Sequence, residues 1–545
     1  MDAVYDGKIE VEPFVLDTVL ELRVKETLNE HATFYLLARL EKEQAEKPLK
    51  DVGNETKIKF KSDGSVIFSG ITKNISITCI DEVYYLRVLA VSHTARLDVA
   101  KKRRSFQDDD MSYRQIIEKV TKEKGSRVTF GNDPAANDTV YKIILQYEET
   151  DWEFCKRLAS QSHDVLIPKI KEDTPDFICG VKETESKGDL ESYNYSVSKN
   201  LSFYRKMTAS YSFLEEADTV SYTITSNDKI FNLGDMLTLD KKPLYISAVN
   251  LMFTESVLKC TYALSPKKAL SVPEIYHDNI IGLRLYGEVL AVKDDTVRVR
   301  LNIDKDDNGH NEDNSTAFKY ETPYHNNKNT GWYVMPEKGD YVNLVFPTNV
   351  DHSAYAAPTR RPMLHDGDKA KNPRTKYLRT RDGKEIKFDK EEILITAKDK
   401  ETFIKINEET GIEIITPHPI QIRSDDYIAM TSKDDIIISA DENLFLKAGN
   451  AVYMTADDGN SEVSMDPEVG DVRIVTQLPI KMTSKEDDVL ITSEANLKVH
   501  SKEFTLNGTK VAINGSVEVN LDGAGSTIKL SGGTIEQSAP IIKLN

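Results

Sequence analysis

Cysteine is sparse in this chain: 4 among 545 residues, at Cys79, Cys155, Cys179 and Cys260, with no pair at CxxC spacing. That scarcity excludes a disulfide framework and a thiolate zinc site, and the four read as reduced, mostly buried residues. Long apolar runs are missing too. No stretch approaches the roughly 20 residues of a membrane span, and Met1–Glu12 has no signal-peptide pattern. The expectation is a protein kept in the cytoplasm until assembly, then carried outside the cell or into a target envelope. Absent as well are the P-loop, HExxH and Gly-x-Ser-x-Gly signatures. Positive charge is in deficit, with 71 Lys and Arg against 89 Asp and Glu, a net charge of −18. Residues 381–545 hold 30 acidic and 18 basic residues, so −12 of that total lies there. Such a surface repels nucleic acid and anionic lipid, and keeps a long β-structure free of edge-to-edge association.

What the chain does have is a beat. An apolar-x-apolar triplet returns every eight residues: Ile412/Ile414, Ile420/Ile422, Ile428/Met430, Ile436/Ile438, Leu444/Leu446 and Val452/Met454. After a break it returns less evenly, through Val463/Met465, Val472/Ile474, Ile480/Met482, Val489/Ile491 and onward to Ile542/Leu544. The two flanking residues of a triplet face one side of a strand and the middle residue faces the other. Between triplets stand turn-prone residues such as Ser424-Asp425-Asp426, Lys433-Asp434-Asp435 and Asp441-Glu442-Asn443.

Two inward residues per unit cannot build a core alone, so units must stack. Three chains wound about one axis close the layer into a triangular prism without lateral edges. Some 17 units at ~4.8 Å each make a rod of roughly 80 Å. A single-chain solenoid is the alternative, although solenoid coils use longer turns than eight residues.

The front of the chain reads as β-rich, with strands over Thr18–Lys25, Ala32–Leu40, Lys57–Lys61, Val66–Ser69 and Tyr84–Ala90. Capping boxes at Ser112–Gln115 and Thr150–Glu153 open two helices. Strands resume from about Ser202 to Ser265. Gly282 to Arg361 reads as a small barrel, with a hairpin across Asp294-Asp295 and a strand-turn-strand from Trp332 to Phe346. The expected class is mainly β and multidomain, divided as 1–265 hub, 266–280 linker, 281–365 barrel, 366–380 neck and 381–545 spike.

The order of these parts resembles the VgrG family, itself similar to the fused hub and puncturing spike of contractile phage tails. The resemblance rests on RSFQDDDMSYRQII (Arg104–Ile117), LQYEETDWEFCKRLASQSHDVLI (Leu145–Ile167), FNLGDMLTL (Phe231–Leu239), GEVLAVKDDTVRVRL (Gly287–Leu301), MPEKGDYVNLVF (Met335–Phe346) and LRTRDGKEIKF (Leu378–Phe388), in that order ahead of the repeat. It implies a hub of two β-barrels with a helical insert, a barrel of the oligonucleotide-binding (OB-fold) type and an intertwined trimeric β-helix. It also implies a homotrimer capping an inner-tube ring protein, held by baseplate proteins, able to carry effector cargo, and touching the target membrane mechanically. Some relatives close the spike with a His-x-His metal site. No histidine occurs in Gly532–Asn545, so a separate PAAR-type tip protein is expected on Ile541, Ile542, Lys543, Leu544 and Asn545. A trimeric tail fibre is the alternative, but a fibre needs no hub.

Catalysis finds little footing. Ser92, His93 and Asp98 lie close in sequence, yet Ser92 and His93 fall in an apparent strand and point to opposite faces. Asp151 and Glu153 are explained by helix capping, and His163 by a helix end. Asp304–Gly309 lacks calcium-loop spacing and reads as an exposed barrel loop. No enzyme activity, cofactor, metal or nucleic-acid partner is expected. If the triplets form a threefold core, Ile438→Asp places three charges near one axis and prevents stable trimers; normally assembled, equally heat-resistant trimers on size exclusion would contradict that assignment.

Overall fold

The computed structural model describes residues 8–543 except 54, 109, 132–142, 191–192, 209–213, 227–228, 305–312, 325–329, 361–370, 399–400, 457–459, 467–469 and 532. Residues 366–370 of the charged neck expected over 366–380, and residues 305–309 of the suspected calcium loop, therefore lie outside the described residues. The chain forms two compact units, 1–415 and 416–545. The fold is mainly β and multidomain.

An 11-stranded antiparallel sheet dominates the first unit. Its early strands, Thr18–Thr27 and Thr33–Leu40, and its late strands, Lys242–Thr254 and Val257–Ser265, meet where Thr18–Thr27 pairs with Lys242–Thr254. Alternation sets the buried face: Leu22 and Val24 point inward with Phe34, Leu36, Phe60 and Phe68, while Arg23 and Lys25 point to solvent. The hairpins turn at Asp81-Glu82 and Glu255-Ser256, all four residues having positive φ, which matches the right-handed strand twist. Gly70 is required because a Cβ there would run into the Val91 carbonyl oxygen and the Phe68 ring. Val66–Ser69 proves to be the start of a 16-residue strand, Ser65–Ile80. Leu201–Thr208 is helical where strands were expected to resume at Ser202; the Asn200 carboxamide accepts from Phe203 N at 3.0 Å and starts the turn.

Both expected capping boxes are present, opening helices Tyr113–Lys122 and Asp151–Ser160. The helices share a core of Ile116, Val120, Trp152, Cys155 and Leu158. Trp152 fastens this layer to the sheet through an indole N–H donated to Asn29 O at 3.2 Å, with the His31 ring tilted against it at 4.7 Å between centroids.

The small barrel has five strands, in the order Ala317–Lys319, Thr296–Leu301, Arg284–Lys293, Tyr341–Val345, Tyr355–Pro358. A bridge from Tyr320 to Ala356 closes the sheet on itself. Val297, Val299 and Leu301 fill the interior. Trp332–Pro336 is not a strand. Its loop is tied by Trp332 N to Tyr324 O at 2.8 Å and Tyr333 OH to Asp294 O at 2.7 Å, and Pro336 has no N–H to offer a ladder.

The barrel core also contains Ile143 and Leu145, which precede helix Asp151–Ser160, and carboxylates reinforce the junction. Asp304 is buried, not an exposed loop residue, and accepts from Ser105 N and Oγ at 2.7 and 2.6 Å. Asp351 accepts from Leu145 N at 3.1 Å and from Arg157 Nη1 at 2.7 Å. The buried Arg157 also donates to Glu149 at 2.9 and 3.0 Å and to Leu145 O at 2.6 Å.

One inward carboxyl lacks such compensation. Glu26 shares its strand face with Leu22 and Val24 and is buried. Burial pushes its pKa from an ordinary 4.5 up to about 8; Lys171 pulls it partly back and Asp235 opposes that. The folded state thus holds a proton that the unfolded chain releases near pH 4.5. Stability should fall as pH rises from about 4.5 to about 8 and level off above. Each pH unit between folded and unfolded values is worth about 1.4 kcal/mol. Glu26→Gln should remove most of that slope in denaturant unfolding followed from pH 5 to 9. At the junction, Arg157→Met leaves Glu149 and Asp351 buried without a counter-charge and should cost about 3–5 kcal/mol. Adding Glu149→Gln and Asp351→Asn should restore much of it in guanidinium melts.

Candidate functional site

The sequence placed the working surface in the repeat. There the chain bends every eight residues, at 417–418, 425–426, 433–434, 441–442 and 449–450. These are the positions of the turn-prone residues, where Asp426 N and Asp434 N bond back to the hydroxyls of Ser424 and Ser432. Between bends lie the triplets. Ile412 and Ile414 sit on the strand Gly411–Ile415, opposite Ile406 and Ile404. Ile420, Ile422, Ile428, Met430, Ile436, Ile438, Leu444 and Leu446 follow on successive units without strand partners, and Val452 and Met454 open the strand Val452–Ala456.

Eleven of these twelve apolar residues are exposed within the single chain, Ile436 at 52% and Ile412 at 70% among them, and Val452 is half-buried. The backbone is equally unsatisfied. Among the described residues, 416–451 and 477–517 form no strand ladder with the rest of the chain. Protein backbones seldom leave such rows of donors and acceptors unpaired beside apolar side chains.

Two blocks of the second unit do pair internally. Val452–Ala456, Ser461–Asp466 and Asp471–Thr476 make one meander, and Glu518–Gly523, Ser526–Ser531 and Thr534–Ser538 another. Their registers set apolar residues directly opposite one another, Val452 with Met465, Val463 with Ile474, and Val519 with Leu530. The uneven later beat is thus partly a set of cross-strand pairs, which sequence spacing did not separate from the eight-residue unit. Ile541, Ile542 and Lys543 are exposed at the end of the described chain, and Leu544 and Asn545 lie outside it.

The suspected catalytic groups do not converge. The strand ends at Ser92, and His93 begins a short 3-10 turn, so the two residues are not strand neighbours on opposite faces. The Ser92 hydroxyl accepts from Ala32 N at 3.1 Å, and Asp98 accepts from the Thr150 hydroxyl. His93 Nε2 instead meets Ser69 Oγ at 3.1 Å, and that hydroxyl donates to Asp173 at 2.8 Å. Serine standing between histidine and carboxylate inverts the order that nucleophile activation needs. Burial, with Arg96 adding to it, drives the His93 pKa down to about 4. Sequence offered no sign of this set, because Ser69, His93 and Asp173 lie far apart along the chain.

Thr150 caps the helix and Glu153 completes the capping box, while Asp151, in the first turn, binds Arg104 and Lys102 at 2.8 Å each. His163 adopts positive φ just past the helix end and meets Val272 O at 3.1 Å through Nδ1. Among the described residues no three His, Cys, Asp or Glu side chains gather as metal ligands.

Comparison with known proteins places the two ends of the chain. Residues 25–162 match the phage tail baseplate hub (GPD) family. Residues 394–541, which hold the repeat, match a family described as an uncharacterized protein conserved in bacteria, DUF2345. No curated protein matches the chain.

Three solved structures are similar at low identity. The E. coli c3393 protein, described as a type VI secretion component similar to the T4 tail proteins gp27 and gp5, is 13% identical, with 65% of this chain and 100% of that one covered at a TM-score of 0.46. The lidded Francisella PdpA–VgrG complex is 10% identical, with 76% and 80% covered at 0.48. The 43 kDa tail protein of prophage MuSo2 from Shewanella oneidensis is 11% identical, with 49% and 98% covered at 0.39. Along the chain, a region matching the baseplate-hub model is followed by a closed five-stranded barrel and then by the repeat.

Proposed function

We propose that three copies of this chain form the hub and puncturing spike of a contractile injection machine, of the phage-tail or type VI kind. The observation that carries the reading is the pairing of a region matching the baseplate-hub family with a repeat whose segments 416–451 and 477–517 form no strand ladder among the described residues and leave their apolar flanks exposed. Identical copies supply both needs at once. Each unit offers two inward residues, three copies offer six per layer, and the strands of neighbouring copies take up the free N–H and C=O groups. Fully burying one isoleucine or leucine stabilises by about 1.5–3 kcal/mol, so a dozen such positions per chain favour assembly strongly.

In this reading residues 1–265 cap an inner-tube ring protein and contact baseplate proteins, 281–365 form the OB-type barrel, and 381–545 form the needle. The end around Ile541, Ile542, Lys543, Leu544 and Asn545 receives a PAAR-type tip protein, and effector cargo rides on the assembly. The work is mechanical. Energy comes from the contracting sheath, and the target membrane is pierced, not attracted, since the needle is acidic. The chain waits in the cytoplasm until assembly, and its part is structural, not catalytic.

The test is light scattering behind size exclusion on the full chain, with hydrogen exchange on the same sample. An elongated trimer with slow exchange over 416–451 and 477–517 is expected. A folded monomer, or rapid exchange of those segments within a trimer, would defeat the intertwined needle.

A further inference from the structure

The middle residue of each triplet points away from the core in the reading above, and along most of the needle it is polar or charged, as at Gln421, Arg473 and Lys481. Four consecutive units break that rule with Ala429, Ile437, Phe445 and Tyr453. Ile437 and Phe445 are 85% and 86% exposed, against 52% and 57% for the flanks Ile436 and Ile438. The middle and flanking residues thus lie on different faces. Leu490 is another large apolar middle residue, but it stands alone between units centred on Lys481 and Lys498.

Beside the four lie the bends, bearing Asp425-Asp426, Asp434-Asp435 and Asp441-Glu442, six carboxylates against three cations, Arg423, Lys433 and Lys447. None of these six carboxylates forms an ion pair among the described residues. At one strand spacing per unit, the apolar strip runs about 15 Å. An outward apolar strip rimmed by unpaired negative charge is the composition of a docking surface, not of a solvated face.

We propose that this strip, present on each face of the trimeric needle, docks a polypeptide presenting apolar side chains flanked by lysine or arginine. The inference rests on the needle reading. Charge complementarity selects the partner: six carboxylates against three cations per chain leave a negative excess that disfavours an acidic segment and an anionic membrane, and favours a basic amphipathic one. Such a segment tethers a cargo or baseplate component to the needle's side, apart from its tip.

The test uses the full-length assembly and two short synthetic peptides, one alternating leucine with lysine and one alternating leucine with glutamate, read by fluorescence anisotropy. The lysine peptide should bind, more weakly as salt rises, and the glutamate peptide should not. Ile437→Ser/Phe445→Ser, which keeps every carboxylate, should weaken binding about tenfold or more with the trimer intact. Asp434→Asn/Asp435→Asn/Asp441→Asn/Glu442→Gln should weaken it and flatten the salt dependence.

Absence of lysine-peptide binding, equal binding of both peptides, or unchanged affinity in the serine variant would overturn the proposal. So would concentration-dependent pairing of wild-type trimers that the serine variant abolishes, since a second needle then covers the strip. A serine variant that is monomeric by light scattering would place Ile437 and Phe445 inside the needle, and the assigned register would fail instead.

Discussion

Unsatisfied hydrogen-bonding backbone beside unsatisfied apolar surface is the constraint on which this protein turns. Over 416–451 the chain bends on schedule but pairs with nothing of its own. Neither deficit can be met locally, because an eight-residue unit with two inward side chains has no interior. In the proposed trimer, neighbouring copies would meet both needs at once. The meanders at 452–476 and 518–538 work differently, meeting their backbone needs within one chain while leaving apolar faces such as Met454 and Ile474 open. The second unit therefore alternates blocks that satisfy their own ladder with blocks that depend on partners.

The first unit shows the opposite economy of contacts. Its large sheet, its helical layer and its barrel are each well filled, and they are joined by apolar residues and buried charge together. Ile143 and Leu145, ahead of helix Asp151–Ser160, pass into the barrel core. Asp304 and Asp351 reach back to the backbone N–H groups of Ser105 and Leu145, and Arg157 balances Asp351 and Glu149. Geometry-dependent bonds of this kind fix orientation more than they add stability.

Much of this was legible in order along the chain. The eight-residue beat gave the bends, because Asp, Glu, Gly or Asn occupies the same phase in four of the five, the first being Pro417-His418. Two capping boxes gave two helix starts. The barrel hairpin followed from Val297, Val299 and Leu301 alternating with Arg298 and Arg300. Missed were features made by residues distant in sequence or by a single cap: the helix begun by Asn200, the Asp173–Ser69–His93 chain, and the burial of Asp304 against Ser105. Trp332–Pro336 looked like a strand from its β-forming side chains, yet its loop is fixed by two tethers and a proline.

What the sequence by itself determined is periodic: which residues share a face, where the chain turns, and that the last third cannot complete a core alone. These follow from fixed strand and helix geometry, which acts between near neighbours. Only the tertiary structure decided which carboxylates are buried and paired, that Glu26 is held protonated among apolar neighbours, and which later triplets pair with each other inside one chain. Those outcomes depend on solvent exclusion and on contacts between residues tens to hundreds of positions apart, and no local pattern records them.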